Sequence, residues 1–311
     1  MSQESTIHRA VMVPEVMDAL KPRPGGRYLD ATLGGGTHSE ELLRLSEPNG
    51  QVLSLDVDHT ALTRASERQK AYGQRWQIAE ANFRYLKGEA EKKSGWVPFD
   101  GILFDLGLSS DELTDSSKGL SFQVDGPLDM RLGPKANEDG LTAETIVNRW
   151  SEKELIELIR TFGEEKFAVR IAKAIIERRR EQKFESTLDL AETIKAAIPR
   201  TSKIHPATRT FQALRMAVND ELASLKLALA DADEILAPGG TIVVISFHSL
   251  EDRIVKQAFK KYQNYEISKK PLSPKEAEVK NNPRARSAKL RAAHKNSTKI
   301  NYVTDVRHSY D

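Results

Sequence analysis

The sequence predicts an α/β fold, in which an open, doubly wound parallel sheet is interrupted by an all-helical segment. Four short apolar strand patterns alternate with helical patterns over the first third of the chain. Between about residues 110 and 212 amphipathic helical patterns follow one another without a convincing strand. The apolar run TIVVIS at 241–246 then returns to a strand pattern. Such alternation is typical of parallel sheets covered by helices, and the chain is expected to leave the sheet and come back to it.

Apolar runs and cap residues predict the individual elements in chain order. Strands are expected near residues 27–31, 51–56, 75–79, 100–105 and 241–246. Ser151 and Glu154 form a capping box that predicts a helix start, and Pro199 ends a helix expected over 188–198. Further helices are expected near 40–46, 61–72, 164–182, 206–219 and 220–236. The charged segment 269–282, which contains two prolines, is expected to be a mobile loop.

Composition excludes several classes of protein. The 311 residues are 39% hydrophobic and 30% charged, which is ordinary for a folded, water-soluble protein. No apolar run approaches the ~20 residues of a membrane helix, and no signal-peptide core is visible, so we expect a cytoplasmic protein without membrane association. The chain contains no cysteine, which excludes disulfides, iron–sulfur clusters and thiolate zinc sites. No histidine spacing predicts a metal site, and none is expected.

Charge is unevenly distributed along the chain. The net charge is +2, but residues 256–311 carry 14 basic and 5 acidic side chains, a net of +9, which leaves −7 for the remainder. A basic tail on an acidic body favours a polyanionic partner such as nucleic acid. A solvated C-terminal segment explains the same charge equally well.

The most informative segment is DATLGGGTHS at 30–39, followed by LSLDVD at 53–58. A strand ends at Asp30, glycines follow at Gly34, Gly35 and Gly36, and Asp56 ends the next strand. Glycines let the backbone approach a ligand, and a carboxylate at the following strand end binds ribose hydroxyls. Ser39 stands where the dinucleotide fingerprint requires its third glycine. The pattern therefore favours a pocket for S-adenosylmethionine (SAM), with a ligand-free glycine turn as the alternative.

Other strand ends carry chemistry of their own, because ligands bind at the carboxyl ends of the strands in open sheets. Asp105 ends the fourth strand, where a methyl acceptor is expected. Phe83 follows the third strand and is expected either against adenine or in the core. The segment SFHSLEDR at 246–253 follows the return strand, and we expect its His248 and Asp252 to close the catalytic site.

Two segments suit a single-stranded nucleic acid. HPATRTFQALRMAVN at 205–219 contains Arg209, Phe211 and Arg215, a combination that favours phosphate contact and base stacking. NPRARSAKLR at 282–291 adds Arg284 and Arg286. A solvated helix face and a solvated charge run are the respective alternatives.

Taken together, these motifs resemble the bacterial family of ribosomal small-subunit RNA cytosine-N4 methyltransferases. The resemblance covers nearly the whole chain, in the family's order, through DATLGGGTHS, FDLGLSS, GLSFQVDGPLDMR, GEEKFAVRIAKAI, HPATRTFQALRMAVN, ISFHSLEDRIVK and NPRARSAKLR. It implies a Rossmann-like SAM-dependent methyltransferase domain at 1–109 and 213–311, interrupted by a helical substrate-recognition domain at 110–212. It also implies methylation of a cytidine N4 amine in the decoding centre of 16S ribosomal RNA within the small subunit, and often a homodimer.

The resemblance also implies which residues contact SAM. Carried over by position, the contacts fall on Gly36, Thr37, His38, Asp56, Phe83, Asp105 and Glu112, to which the loop pattern adds Asp30 and Gly34. Two positions depart from the family pattern, since Thr37 replaces a glycine and Glu112 replaces a glutamine. Threonine does not suit a positive φ, and a carboxylate accepts hydrogen bonds without donating one.

The chemistry agrees with a direct methyl transfer, because the chain has no cysteine to attack a cytosine ring. The exocyclic amine of cytosine is a poor nucleophile, since its lone pair is delocalised into the ring. Asp105 is expected to accept a hydrogen bond from this amine. In-line placement of the amine against the sulfonium methyl is expected to supply much of the remaining rate enhancement. The base must be unpaired or flipped to reach the site. The alternatives are methylation of DNA or protein, a dinucleotide-linked oxidoreductase, and an RNA-binding scaffold without activity.

Overall fold

A computed structural model describes residues 10–134, 136–199 and 204–297. Within these residues the strands are β1 Arg27–Asp30, β2 Gln51–Asp56, β3 Trp76–Glu80, β4 Phe99–Asp105, β5 Leu236–Ser246, β6 Tyr265–Ile267 and β7 Lys289–Lys295. They form one sheet in the order β3-β2-β1-β4-β5-β7-β6. The first five strands pair in parallel, and β7 is antiparallel to both β5 and β6. The predicted Rossmann-like α/β class is confirmed.

The helices of the described residues fall into two groups. Those from the sheet-forming parts of the chain are α1 Val13–Leu20, α2 Thr37–Leu45, α3 His59–Gln69, α4 Leu86–Glu91, α11 Glu221–Ile235, α12 Ser249–Phe259 and α13 Glu276–Asn281. Those between β4 and β5 are α5 Ser110–Thr114, α6 Ala143–Arg149, α7 Glu152–Thr161, α8 Ala168–Glu181, α9 Thr187–Ala197 and α10 Thr208–Val218. The excursion of the chain after the fourth strand is therefore helical, as predicted.

The central strands are apolar throughout because helices cover both faces of the sheet. Alternate residues of a strand point to opposite faces. Leu29 and Ile102 accordingly belong to one buried cluster, and their neighbours Tyr28 and Leu103 belong to the cluster on the other face. The apolar run of each strand gives way to an aspartate at the carboxyl end of β1, β2 and β4, and polar groups therefore collect at one edge.

The helical segment has a hydrophobic core of its own, which includes Ile146, Leu155, Ile171, Leu190 and Leu214. The predicted capping box of Ser151 and Glu154 begins α7. Helix α10 continues through residue 212 to Val218. The division of the chain into domains at residues 110 and 212 stays a prediction.

The C-terminal part differs from expectation. The segment 269–282 was expected to be a loop, but it ends in α13, and Leu272 pairs with Leu290 of β7. The basic run after residue 282 contains β7, in which Leu290, Arg291 and Ala293 are buried. The charge of this run hid its alternating strand pattern. No helix among the described residues is both long and apolar enough to cross a membrane.

Candidate active site at the carboxyl edge of the sheet

A large pocket lies at the carboxyl ends of the parallel strands. It brings together most of the predicted cofactor-binding residues: Gly34, Gly36, Thr37, His38, Asp56, Phe83, Asp105 and Glu112. These residues come from four separate stretches of the chain. Their convergence supports the interpretation of the strand ends as a binding site.

The glycine loop is shaped by the residues around it. The Gly34 amide donates to Asp56 Oδ2 at 2.8 Å, and a Cβ on Gly34 would meet only the Thr32 carbonyl oxygen, at 4.0 Å. Gly36 has φ 77° as the N-cap of α2, where a Cβ would lie 2.6 Å from the Arg68 guanidinium. Thr37 is the first helical residue and is not among the residues with positive φ. Threonine therefore suits this position.

Asp30 requires a correction, because it does not line the pocket. Its side chain is fully buried, and it accepts hydrogen bonds from the Ser39 hydroxyl at 2.6 Å and the Thr32 amide at 3.2 Å. Thr32 belongs to the loop after β1, and Ser39 belongs to the first turn of α2. Asp30, which lies outside the pocket lining, thus stabilises the glycine loop through hydrogen bonds to residues on both sides of the glycines.

Asp105, at the end of β4, lines the pocket and contains an unsatisfied acceptor. Its Oδ1 is buried and has no hydrogen-bond partner within the described part of the chain, while Oδ2 lies 3.7 Å from His38 Nδ1. Burial, together with the nearby charge of Asp30, raises the pKa of Asp105 to about 7. A buried acceptor without a partner costs free energy unless a ligand supplies a donor.

Asp56 and Glu112 form a second acidic pair in the pocket. Burial raises the pKa of Asp56, opposed by backbone amides that hydrogen-bond to it. Burial, together with the charge of Asp56, raises the pKa of Glu112 to about 7. Glu112 is fixed in place because its Oε2 accepts from the Ser109 amide at 2.7 Å, while its own amide donates to Ser109 Oγ at 3.1 Å. The pocket therefore favours a ligand with positive charge and hydroxyl groups.

The return strand contributes residues other than those predicted. His248 and Asp252 do not line the pocket, but Glu251 does. His248 caps α12 through its Nδ1, which accepts from the Glu251 amide at 3.3 Å. Asp252 binds Arg291 of β7 at 2.7 Å. Both predicted residues thus stabilise α12. The carboxylate that lines the pocket belongs to Glu251, which lies between them in the sequence.

The predicted RNA-binding residues separate on folding. Phe211 is only 4% exposed and contacts Phe122 in the helical core, so the expected base stacking by Phe211 is wrong. Arg215 lines the pocket and binds both oxygens of Glu221, at 2.7 and 2.8 Å. Arg209 remains at the surface, with 48% of its side chain exposed.

The basic pair after α13 also separates. Arg284 lines the pocket, whereas Arg286 is exposed and lies outside it. The sequence placed both in one charge run, and the intervening Ala285 is fully buried between them.

Three potential metal ligands lie together at the pocket edge, although the sequence predicts no metal site. Glu221, His248 and Glu251 bring one ligand atom each within 4.8 Å of one another. Glu221 is paired with Arg215, and Glu251 accepts the Phe247 and His248 amides. Contacts within the protein thus account for both carboxylates.

Sequence reasoning missed Asn219, which lines the pocket. Its side-chain nitrogen Nδ2 donates to the Met130 carbonyl at 2.9 Å, and its Oδ1 accepts from the Leu132 backbone amide at 2.9 Å. Asn219 therefore joins the end of α10 to the loop before α6. A polar residue directly after an amphipathic helix was the available signal, but helix ends commonly carry such residues.

Comparison with known proteins agrees with this geometry. A model of the MraW methylase family matches residues 5–296. The chain is similar to the ribosomal RNA small subunit methyltransferase H of Thermomicrobium roseum, with 47% identity over 93% of this chain and 94% of the relative. The protein of that name from Synechococcus elongatus is 49% identical over 94% of this chain and 96% of its own. The protein of that name from Carboxydothermus hydrogenoformans is 45% identical over 93% of this chain and 97% of its own.

Proposed function

We propose, because this chain belongs to the MraW methylase family, that it transfers a methyl group from SAM to the RNA of the small ribosomal subunit. Relatives that share 43–49% of its residues over nearly their whole length are named as methyltransferases of that RNA. The observation that carries the proposal is the pocket in which Asp56, Asp105 and Glu112 converge beside the glycine loop. The proposed acceptor is the exocyclic N4 amine of a cytidine in the decoding centre of 16S ribosomal RNA.

The pocket suits SAM by its donor set. Asp56 and Glu112 provide carboxylate oxygens for ribose hydroxyls, and the open space over Gly34 lets the backbone approach the ligand. Phe83 lines the pocket with its ring at 89° to Phe104, and we assign its exposed side to adenine. When bound, SAM supplies a methyl group on a positively charged sulfonium.

Asp105 performs the central step in this proposal. Its Oδ1 accepts a hydrogen bond from the amine of the target base, which turns the nitrogen lone pair out of conjugation with the ring. The carboxylate then holds the proton that the nitrogen loses after methylation. Because Asp105 does so only when ionised, its raised pKa makes the step sensitive to pH near neutrality.

Direct evidence for this activity would come from nucleoside mass spectrometry. Small-subunit RNA from cells that lack the protein should contain no N4-methylated form of the target cytidine, and re-expression should restore it. A deletion strain that retains the full level of N4-methylation would contradict the proposed substrate.

We assign RNA recognition to the helical segment. A cleft on its surface is lined by Lys166, Phe167, His205 and Arg209 together with Glu165. The Lys166 ammonium lies 5.0 Å from the centre of the Phe167 ring. Basic side chains beside an aromatic ring suit a single-stranded nucleic acid. Cytoplasmic location follows from a ribosomal substrate in this proposal, and the homodimer stays a prediction.

Charge reversal in this cleft should weaken RNA binding. Arg209→Glu is expected to lower the affinity for small-subunit RNA about 5- to 10-fold and to reduce the salt dependence of binding by about one phosphate contact. Binding titrations at several salt concentrations measure both effects, and SAM affinity should not change. Lys226→Glu is the matched control, because Lys226 is an exposed residue of α11. Equal losses in the two variants would remove the cleft from the interface.

A further inference from the structure

The pocket is lined by more acidic than basic side chains. Its lining contains five carboxylates: Asp56, Asp105, Glu112, Glu221 and Glu251. Three basic side chains, His38, Arg215 and Arg284, accompany them. Arg215 is bound by both oxygens of Glu221, and His38 lies between the Val11 carbonyl and Asp105. Arg284 makes no ion pair or hydrogen bond within the described residues.

The backbone holds Arg284 at the mouth of the pocket. Residues Pro283–Ser287 form a short 3₁₀ turn. Ala285 within the turn and Ala288 directly after it are buried in the core cluster that contains Val11 and Leu33. Helix α13, which precedes the turn, is tied to α1 because Glu278 accepts a hydrogen bond from the Met12 amide at 2.7 Å. Arg284 thus lines the same pocket as the loop that follows β1, although its side chain is exposed.

The chemistry of the proposed donor indicates what this guanidinium binds. SAM has a sulfonium and an ammonium, which the acidic pocket attracts, and one carboxylate, which the same acids repel. A carboxylate is best satisfied by a guanidinium, whose donors match both of its oxygens. We infer that Arg284 binds the carboxylate in the amino-acid portion of SAM, an assignment that rests on the function proposed above.

A phosphate of the RNA is the other oxyanion that an arginine here would meet. The position of Arg284 favours the carboxylate, because Arg284 lines the pocket. Arg286, two residues further along, is also exposed but is not among the residues that line the pocket. The two arginines therefore form a matched pair for a test of the assignment.

The test compares two ligands that differ only in the carboxylate. Calorimetry should show that Arg284→Ala weakens the binding of SAM about 10-fold, the loss that removal of a charge-assisted hydrogen bond produces. The same variant should bind decarboxylated SAM within about twofold of the unmodified protein. Arg286→Ala should leave the affinity for both ligands unchanged, and Arg284→Lys should restore part of the lost SAM affinity.

The remaining outcomes overturn the assignment in distinguishable ways. Equal losses for SAM and decarboxylated SAM would show that Arg284 acts on the shape of the pocket. Unchanged SAM affinity together with weaker RNA binding would assign Arg284 to a phosphate. If the unmodified protein bound neither ligand, the proposed donor itself would fail and this inference with it.

Discussion

Replacement of Asp105 by asparagine is expected to slow single-turnover methyl transfer at least ~100-fold when SAM is saturating. Asparagine keeps the shape of the side chain but replaces one acceptor oxygen with a donor, which cannot accept a hydrogen bond from an amine. The effect should be large because Asp105 lines the pocket and its buried Oδ1 has no hydrogen-bond partner within the described residues. Rapid-quench measurement of methylated RNA separates this step from binding.

The pH dependence of the same reaction provides an independent test. Burial, together with the charge of Asp30, raises the pKa of Asp105 to about 7, and only the ionised form can take the proton that the amine loses. The single-turnover rate should therefore rise with pH and level off once Asp105 is ionised. Since the positive charge of bound SAM lowers this pKa, the inflection should lie at or below about pH 7. The Asp105→Asn variant should lack the inflection.

Asp18→Asn is the control for this variant, because Asp18 is an exposed residue of α1 that does not line the pocket. It should transfer methyl at the parental rate. A parental rate in Asp105→Asn itself would assign the hydrogen bond to another group. Glu251 would then be the first candidate, since it lines the pocket and its charge contributes to the raised pKa of Asp105.

The strands, the glycine loop and the acids at the strand ends were predictable because their signals are local. A buried parallel strand is a short apolar run, and its carboxyl end is marked by the first polar residue. Asp56 and Asp105 follow such runs directly, which placed both at the pocket. The capping box before α7 is equally local, since four consecutive residues contain it.

The remaining assignments depended on packing that spacing does not reveal. Phe211 lies on the apolar face of α10, but only the neighbouring helices decide that this face is the core. Asp30 and Asp56 both end strands, yet the Asp30 carboxylate is buried and accepts hydrogen bonds from Ser39 and Thr32. In β7, alternation was hidden because Arg291 is buried in an ion pair with Asp252. Arg291 and Asp252 are 39 residues apart in the sequence, and the surroundings of Phe211 and Asp30 exist only once the helices and loops around them have folded.

Replacement of Asp56 by alanine should produce the largest loss of SAM affinity, ~30-fold or more, which corresponds to about 2 kcal/mol. The carboxylate has two functions that the substitution removes together. It is available to ribose hydroxyls, and it orders the backbone, because Oδ2 accepts from the Gly34 amide at 2.8 Å and Oδ1 from the Asp58 amide at 2.9 Å. Glu80→Ala is the matched control, since Glu80 lies opposite Asp56 at the end of β3 and does not line the pocket. Calorimetry measures both variants.

The same variant should change how SAM affinity depends on pH. SAM is cationic and binds best when the pocket acids are ionised, so affinity in the unmodified protein should rise as the pH passes through about 7, where Glu112 loses its proton. The charge of Asp56 is, after burial, the next largest cause of the raised pKa of Glu112. Its removal should therefore let Glu112 ionise at lower pH and move the rise in affinity downward. An Asp56→Ala variant with weaker binding but an unshifted pH profile would show that the two carboxylates do not interact, and the loss of affinity would then come from Asp56 alone.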